Sequence, residues 1–312
     1  MTTVVSELQG QRLISRRRLQ KLWLPVLFLL PAAFFLLAFT AVPLGQAIVL
    51  SFERWNGIEP ATWVGLRNYR LLLEDATFWQ SVGNTLYYTI ASIIFQTTIP
   101  LVVASFINSG IRGSTIFRFI YFLPVIISLT ITGLLWSMIY EPNFGVLNQT
   151  LRSLGLKDLT QLWLADKAWV MPSIIFVSIW QSLGFYMMIF FAAMQSIPED
   201  LYESAAIDGA NVWHRFRYVT IPMLRGTMVV VVVLNTIGGI KSFDQIWVMT
   251  GGGPNHASET LGTYLYRTAF GTFGSSNPQL GYATAIAMLI LVLSLVFSVI
   301  QIRAGQVGEV EV

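Results

Sequence analysis

Apolar runs long enough to cross a bilayer recur six times along this 312-residue chain, and that recurrence limits the possible folds more than any other feature. The runs cover about Trp23–Leu44, Thr85–Ile107, Phe117–Tyr140, Trp169–Met194, Arg225–Met249 and Gly281–Ile302. Roughly 20 apolar residues in helical form span about 30 Å of hydrocarbon. In that medium every backbone N–H and C=O must be satisfied internally, which leaves helices or closed barrels. Unbroken runs of this length are not the alternating segments of about 10 residues that build a membrane barrel. The sequence therefore predicts an all-α membrane protein with six transmembrane helices over residues 22–303, flanked by tails 1–21 and 304–312. Only 11% of residues are charged, against about a quarter in soluble domains. The first run follows Arg16-Arg17-Arg18, but it is too long for the apolar core of a signal peptide, and Pro31 and Pro43 predict a bent span.

Composition also removes several kinds of chemistry. With no Cys and two His (His214 and His256), the chain offers no disulfide, no thiolate and no zinc or haem ligand set. A net charge of +3 is too small to suggest a nucleic-acid partner. Neither His-Glu-x-x-His nor Gly-x-Ser-x-Gly occurs, and both His lie outside the apolar runs. Gly251-Gly252-Gly253-Pro254 lacks the Lys-Ser/Thr of a phosphate loop and reads as a turn. No catalytic residue, metal ligand or cofactor site is predicted on this chain.

Cationic side chains set the orientation. One side carries Arg12, Arg16, Arg17, Arg18, Lys21, Arg112, Arg118, Arg215, Arg217, Arg225 and Arg303. The other carries Arg54, Arg67, Arg70, Arg152, Lys157, Lys167 and Arg267, so the ratio is 11 to 7 with Lys241 inside a run. Both termini are expected in the cytoplasm. The outer connectors (about 45–84, 141–168 and 250–280) hold Trp55, Trp63, Trp79 and Trp163, which suit an interfacial belt. Leu147, Leu151 and Leu154 predict a short helix on that outer surface.

The cytoplasmic connector between the fourth and fifth runs, residues 196–222, is the chain's one polar island. Ser196 and Glu199 have the spacing of a capping box, with Pro198 in the first turn. A short helix is expected up to Asp208, ended by Gly209 at positive φ. Asn211 then caps a second helix with Trp213, Phe216 and Val219 on one side, and Ile221-Pro222 returns the chain to the membrane. Ala205 and Ala206 keep the first helix thin, and Glu203 offers a carboxylate to a cationic partner. By physics alone this is either an interfacial hairpin or a docking surface.

Glu203, Ser204, Ala205, Asp208, Gly209, Ala210, Phe216, Ile221 and Pro222 resemble the Glu-Ala-Ala loop of the permease subunits of binding-protein-dependent ABC importers. Ser204 replaces the loop's first Ala, a small change that leaves docking possible. The likeness extends over about residues 22–303. Val64-Gly65-Leu66-Arg67-Asn68-Tyr69, Phe78-Trp79, Asn84-Thr85, Leu123-Pro124, Phe144-Gly145 and Asn148 are similar to the carbohydrate-uptake branch. So are Lys241-Ser242-Phe243-Asp244, Thr250-Gly251-Gly252-Gly253-Pro254, Thr260-Leu261 and Tyr264. The resemblance implies a loop that inserts into a groove on a cytoplasmic ATPase dimer, with Glu203 pairing a basic residue and with ATP and Mg bound by that partner. It further implies a second, non-identical permease, an extracytoplasmic binding protein, a sugar substrate, and a bacterial or archaeal cytoplasmic membrane. Glycerol-3-phosphate is the alternative substrate.

Ionisable and polar residues inside the runs are the other candidates, because burying them in a membrane is costly. Lys241 and Asp244, with Ser242 between them, have i, i+3 spacing and are expected to share a helix face, about 24 Å beyond Arg225. Gly238-Gly239 just before them predicts a break or kink. This segment either lines a translocation cavity or forms a structural ion pair. Gln181 and Ser182, beside Trp180 and Gly184, and more weakly Asn235, suit sugar hydroxyls. They equally suit hydrogen bonds to neighbouring helices.

Overall fold

The structure of the protein, a computed structural model, describes residues 27–271 and 278–306. Helix α1, Leu27–Leu50, leads into a two-stranded antiparallel hairpin, β1 (Glu53–Arg54) and β2 (Thr62–Trp63), with Glu53 opposite Trp63. Then come α2 (Arg67–Glu74), α3 (Ala76–Asn108), α4 (Ser114–Ile126), α5 (Leu129–Ile139) and α6 (Val146–Ser153). The second half holds α7 (Val170–Met194), α8 (Glu199–Ile207), α9 (Val212–Met223), α10 (Arg225–Ile240), α11 (Asp244–Thr250), α12 (Leu261–Phe270) and α13 (Leu280–Gln306). Among the described residues four helices are long and apolar enough to cross a membrane, or six when each of two bent pairs is taken as one span.

The apolar runs place the spans well and their ends less well. The fourth run matches α7 to one residue. The first helix continues six residues past the expected Leu44, and its predicted start at Trp23 lies outside the described residues. The second begins nine residues before the expected Thr85, because Asp75 caps it by accepting from Thr77 N (2.8 Å) and Phe78 N (3.4 Å). The sixth runs from Leu280 to Gln306, four residues past Ile302, so the predicted tail 304–312 starts as helix; the rest of both tails lies outside the described residues. The short outer helix expected around Leu147–Leu154 is α6.

Two runs expected to be single helices are broken. The third becomes α4 and α5, bent by 97°. Pro124 withholds an N–H near the end of α4, Ile127 and Ser128 are extended, and the Ser128 hydroxyl caps α5 at Ile131 N. The fifth run stops at Ile240 and restarts at Asp244, so the break falls on Lys241-Ser242-Phe243 rather than on Gly238-Gly239. Two milder irregularities share one cause. The π turns Leu37–Ala41 and Phe216–Thr220 end with Val42 N–H on the Leu37 carbonyl and Ile221 N–H on the Phe216 carbonyl, each one residue before a proline, Pro43 or Pro222. A proline ring crowds the carbonyl four residues back, and a widened turn relieves it.

Helices α3 and α7 form the centre of the bundle, α4 packs on α7, and α10 lies between α3 and α13. Lipid tails give little apolar drive for helix association, so close approach and polar contacts hold such bundles. The buried face of α3 accordingly carries small or polar residues, Ser81, Thr85, Thr89, Ser92 and Gln96. Tyr88 Oη and Gln96 Nε2 both donate to Ser178 Oγ on α7, at 2.8 and 2.9 Å. Helix α4 touches α7 at Gly184, where an added Cβ would lie 2.2 Å from the Tyr121 carbonyl oxygen.

Because that obstacle is backbone, Gly184→Ala is expected to destabilise the protein by at least about 1–3 kcal/mol. Gly238→Ala, at a helical glycine with nothing within 4 Å of the added carbon, is expected to be neutral or slightly stabilising. Thermal unfolding of the two detergent-solubilised variants checks the contrast.

Candidate functional site

The polar connector folds as helix, glycine, helix. Helix α8 ends in a paired set of backbone bonds, with Gly209 N donating to the Ala206 carbonyl (3.0 Å) and Ala210 N to the Ala205 carbonyl (2.9 Å). This six-to-one and five-to-two pattern closes a helix only when the residue after its last turn takes positive φ. Gly209 does so, at φ +81°. Asn211 then caps α9 by accepting from His214 N at 2.9 Å. The expected capping box at the other end does not form. Pro198 occupies the cap of α8, and the Ser196 hydroxyl donates instead to the Ala193 carbonyl at 2.7 Å.

The two helices are tied to each other and to the bundle. Tyr202 Oη and Thr220 Oγ1 are 3.0 Å apart, and Tyr202 and Phe216 pack against the cluster built on Phe190, Met194 and Leu224. The opposite side is open. Glu203, Ser204, Asp208, Gly209 and Pro222 are exposed, Ala205 and Ala210 partly so. Ile207 (87% exposed), Val212 (72%) and Trp213 (65%) add an apolar patch at the loop's tip. The sequence places Trp213 on one side of the second helix with Phe216, and their rings do touch, at 5.9 Å. A fixed glycine turn carrying an exposed carboxylate and apolar side chains can enter a groove as a rigid unit.

The six polar candidates of the spans divide by environment. Gln181 is buried and its Nε2 donates to the Ile127 carbonyl at 2.9 Å, covering the break between α4 and α5. Ser182 Oγ donates to the Ser178 carbonyl (2.8 Å), and buried Asn235 donates to the Val231 carbonyl (3.0 Å). Lys241 and Asp244 are exposed, with Ser242 half-buried between them. They do not pair: the salt bridges among the described residues are those of Glu259 with His256 and Arg267. The helix ends between Lys241 and Asp244, so the i, i+3 geometry that pairing requires is absent.

Two ionic clusters on the outer side were not legible from spacing. Glu259 is fully buried and binds His256 and, at 3.1 Å, Arg267, while Asn84 Nδ2 donates to the His256 and Glu259 carbonyls at 2.9 Å each. Burial pushes the Glu259 carboxyl above its ordinary range, against the pull of His256 and Arg267. Asp75 accepts from Tyr264 Oη and, at 2.9 Å, from Tyr282 Oη, besides capping α3. Partial burial raises its pKa, but these hydrogen bonds outweigh that and hold it below the ordinary 3.8. Partners from α3, α12 and α13 thus meet at one carboxylate.

A depressed carboxyl contributes stability above its unfolded pKa and loses it as pH falls through the folded value. Asp75→Asn is therefore expected to lower the thermal stability of the solubilised protein at neutral pH, with the gap to the unaltered chain closing below pH 3.8. Thermal melts from pH 7 downward measure it.

Comparison with known proteins agrees with this architecture. Residues 96–303 match the family model described as "Binding-protein-dependent transport system inner membrane component". A probable ABC transporter permease protein of Bacillus subtilis (strain 168), YurN, is 39% identical over 92% of this chain and 98% of its own length. The trehalose/maltose transport system permease protein MalF of Thermococcus litoralis is 30% identical over 94% of this chain and 97% of its own. A crystal structure of a bacterial ABC transporter that imports the acidic polysaccharide alginate contains a chain that superimposes with TM-score 0.80 at 26% identity, covering 93% of this chain and 97% of that one. With a family model over two thirds of its length and relatives aligned end to end, the chain belongs to the binding-protein-dependent transport system inner membrane components, the multi-pass permease subunits of ABC importers.

Proposed function

We propose that this chain is one of two non-identical permease subunits of a carbohydrate importer in a bacterial or archaeal cytoplasmic membrane. In this reading a cytoplasmic ATPase dimer, which holds the ATP and Mg, drives it, and an extracytoplasmic binding protein delivers the sugar. The observation that carries the proposal is the rigid, exposed helix–glycine–helix of residues 196–222, which has the geometry of a coupling element. Sugar rather than a phosphorylated polyol is favoured because the relatives named for their cargo carry saccharides, among them a multiple-sugar system of Streptococcus mutans and a diacetylchitobiose system of Streptomyces coelicolor.

The cycle is alternating access. ATP binding closes the ATPase dimer, whose motion reaches the membrane through α8 and α9 as a near rigid-body displacement. The spans open outward beneath the docked binding protein, and hydrolysis resets them. Glu203 pairs a basic residue of the ATPase groove, with Ser204, Ala205, Asp208, Gly209, Ala210, Phe216 and Pro222 shaping the inserted surface. Exposed Lys241 and Asp244, with Ser242, line the pathway, and Gln181, Ser182 and Asn235 support its wall.

The direct test is the reconstituted four-component complex, assayed for ATPase stimulation by binding protein loaded from a sugar panel. Stimulation by one sugar supports the whole reading. An ATPase that fails to co-purify with this chain refutes the docking role. Glu203→Lys is expected to weaken ATPase association in a pull-down, because it sets like charge against like; unchanged recovery would sink the pairing. In Gly209→Val the added Cβ meets nothing within 4 Å, but a β-branched residue sits at φ +81°, a strain of at least about 1–2 kcal/mol. It is expected to abolish sugar uptake while the chain still inserts and folds, and normal uptake would rule out a required left-handed turn.

A further inference from the structure

Between the β1–β2 hairpin, α2 and the first turn of α13 lies a cavity of about 430 Å³, within the size range of small-ligand sites. Its walls include Arg54, Trp55, Glu59, Arg67, Leu71 and Tyr282.

Two spanning helices set its depth. Helix α1 is 24 residues long and ends at Leu50, so Arg54 stands four residues beyond it. Helix α13 begins at Leu280, and Tyr282 sits in its first turn. At 1.5 Å per residue α1 covers about 36 Å, a little more than the roughly 30 Å of hydrocarbon in a bilayer. The cavity, placed where both helices end, therefore lies at the level of lipid headgroups. Its surroundings fit that level. Ile58 is 88% exposed, Leu66 69% and Trp63 67%, and bare apolar side chains mixed with tryptophan suit the boundary between acyl chains and water.

Backbone contacts fix the walls. Asn68 Nδ2 donates to the Ser51 and Glu53 carbonyls, at 2.9 Å each, and ties α2 to the start of the hairpin. Gly281 N donates to the Trp55 carbonyl at 3.2 Å, and an added Cβ at Gly281 would run into the Glu53 carbonyl oxygen. Helix α13 thus packs directly on the hairpin backbone. Tyr282 Oη is held by Asp75 at 2.9 Å.

The charged groups of the lining take no part in this scaffold. Among the described residues neither Arg54 nor Arg67 pairs with a carboxylate, and Glu59 pairs with no cation. The Glu59 backbone is set by its N–H, which donates to Asn56 Oδ1 at 2.9 Å. Two guanidiniums and one carboxylate around one cavity complement a ligand that carries both a phosphate and an amine. A guanidinium offers paired N–H donors to phosphate oxygens. A carboxylate accepts from an ammonium, and the Trp55 ring adds a π face for the same cation. An acidic side chain of another protein would instead meet Glu59 as like charge.

We propose that this cavity holds the headgroup of a zwitterionic phospholipid of the outer leaflet, with its phosphate on Arg54 and Arg67 and its ammonium on Glu59. The acyl chains lie along α1, whose apolar window has no residue buried within the chain. The inference needs only that the chain spans a membrane, and it holds whatever the importer carries.

The test uses the complete complex, purified in detergent, depleted of lipid and titrated with phosphatidylethanolamine, phosphatidylglycerol or inorganic phosphate. Native mass spectrometry counts the bound molecules. The Arg54→Gln, Arg67→Gln double variant is expected to lose one phosphatidylethanolamine per copy of this chain, with affinity there lowered about tenfold or more. Glu59→Gln is expected to retain lipid but to lose the preference for phosphatidylethanolamine over phosphatidylglycerol. All three side chains are exposed, so in lipid-free detergent the variants are expected to melt with the unaltered complex, which separates lost binding from lost folding. Equal retention of phosphatidylethanolamine by the double variant overturns the site. Inorganic phosphate that binds as tightly as the lipid overturns the lipid assignment in favour of a free-anion site. Unchanged lipid retention together with weaker ATPase stimulation by binding protein overturns it in favour of protein docking.

Discussion

A carbonyl exposed by a broken helix inside a membrane has no water to turn to, and this chain meets that constraint with a side chain from another element at each break. An unsatisfied backbone group in hydrocarbon costs several kcal/mol, more than a single polar contact between helices normally returns. Gln181 of α7 covers the Ile127 carbonyl where α4 gives way to α5. Thr260, just ahead of α12, covers the Ser242 carbonyl where α10 gives way to α11. Asn84 of α3 covers two carbonyls, those of His256 and Glu259, in the outer turn that follows. The bends are therefore tertiary features, each held in part by a side chain from a distant segment.

Roles legible in the sequence and roles visible only in the fold separate along the same line. Hydropathy shows which segments cross, and local chemistry shows caps and turns, so α7 and the Gly209–Asn211 turn were readable directly. The breaks were not, because an apolar run reads the same whether or not its helix bends by 97°. Gln181 illustrates the consequence. A glutamine in a span is equally well explained by substrate or by a neighbouring helix, and only the position of Ile127, 54 residues earlier, shows where its amide goes. The clusters at Asp75 and Glu259 were hidden for the same reason, since Asp75 and Tyr282 are 207 residues apart in sequence. The capping box at Ser196 failed differently: the pattern was present, but Pro198 took the cap and started the helix two residues later.

Exposure completes the picture of a subunit that does not function alone. Helix α1 has none of its apolar window buried within the chain, and lipid or another apolar helix satisfies such a surface equally well. Lys241 and Asp244 are different, because lipid cannot satisfy them. One face of the bundle therefore suits hydrocarbon, and another carries unpaired charge. In the proposed reading that second face lines the pathway and meets a complementary wall on the second permease. The cytoplasmic loop repeats the logic at the other end, with an apolar tip and a free carboxylate held by a turn that only Gly209 makes cheaply. The three incomplete surfaces differ in chemistry, and in the proposed reading that difference gives lipid, pathway and ATPase separate faces of one bundle.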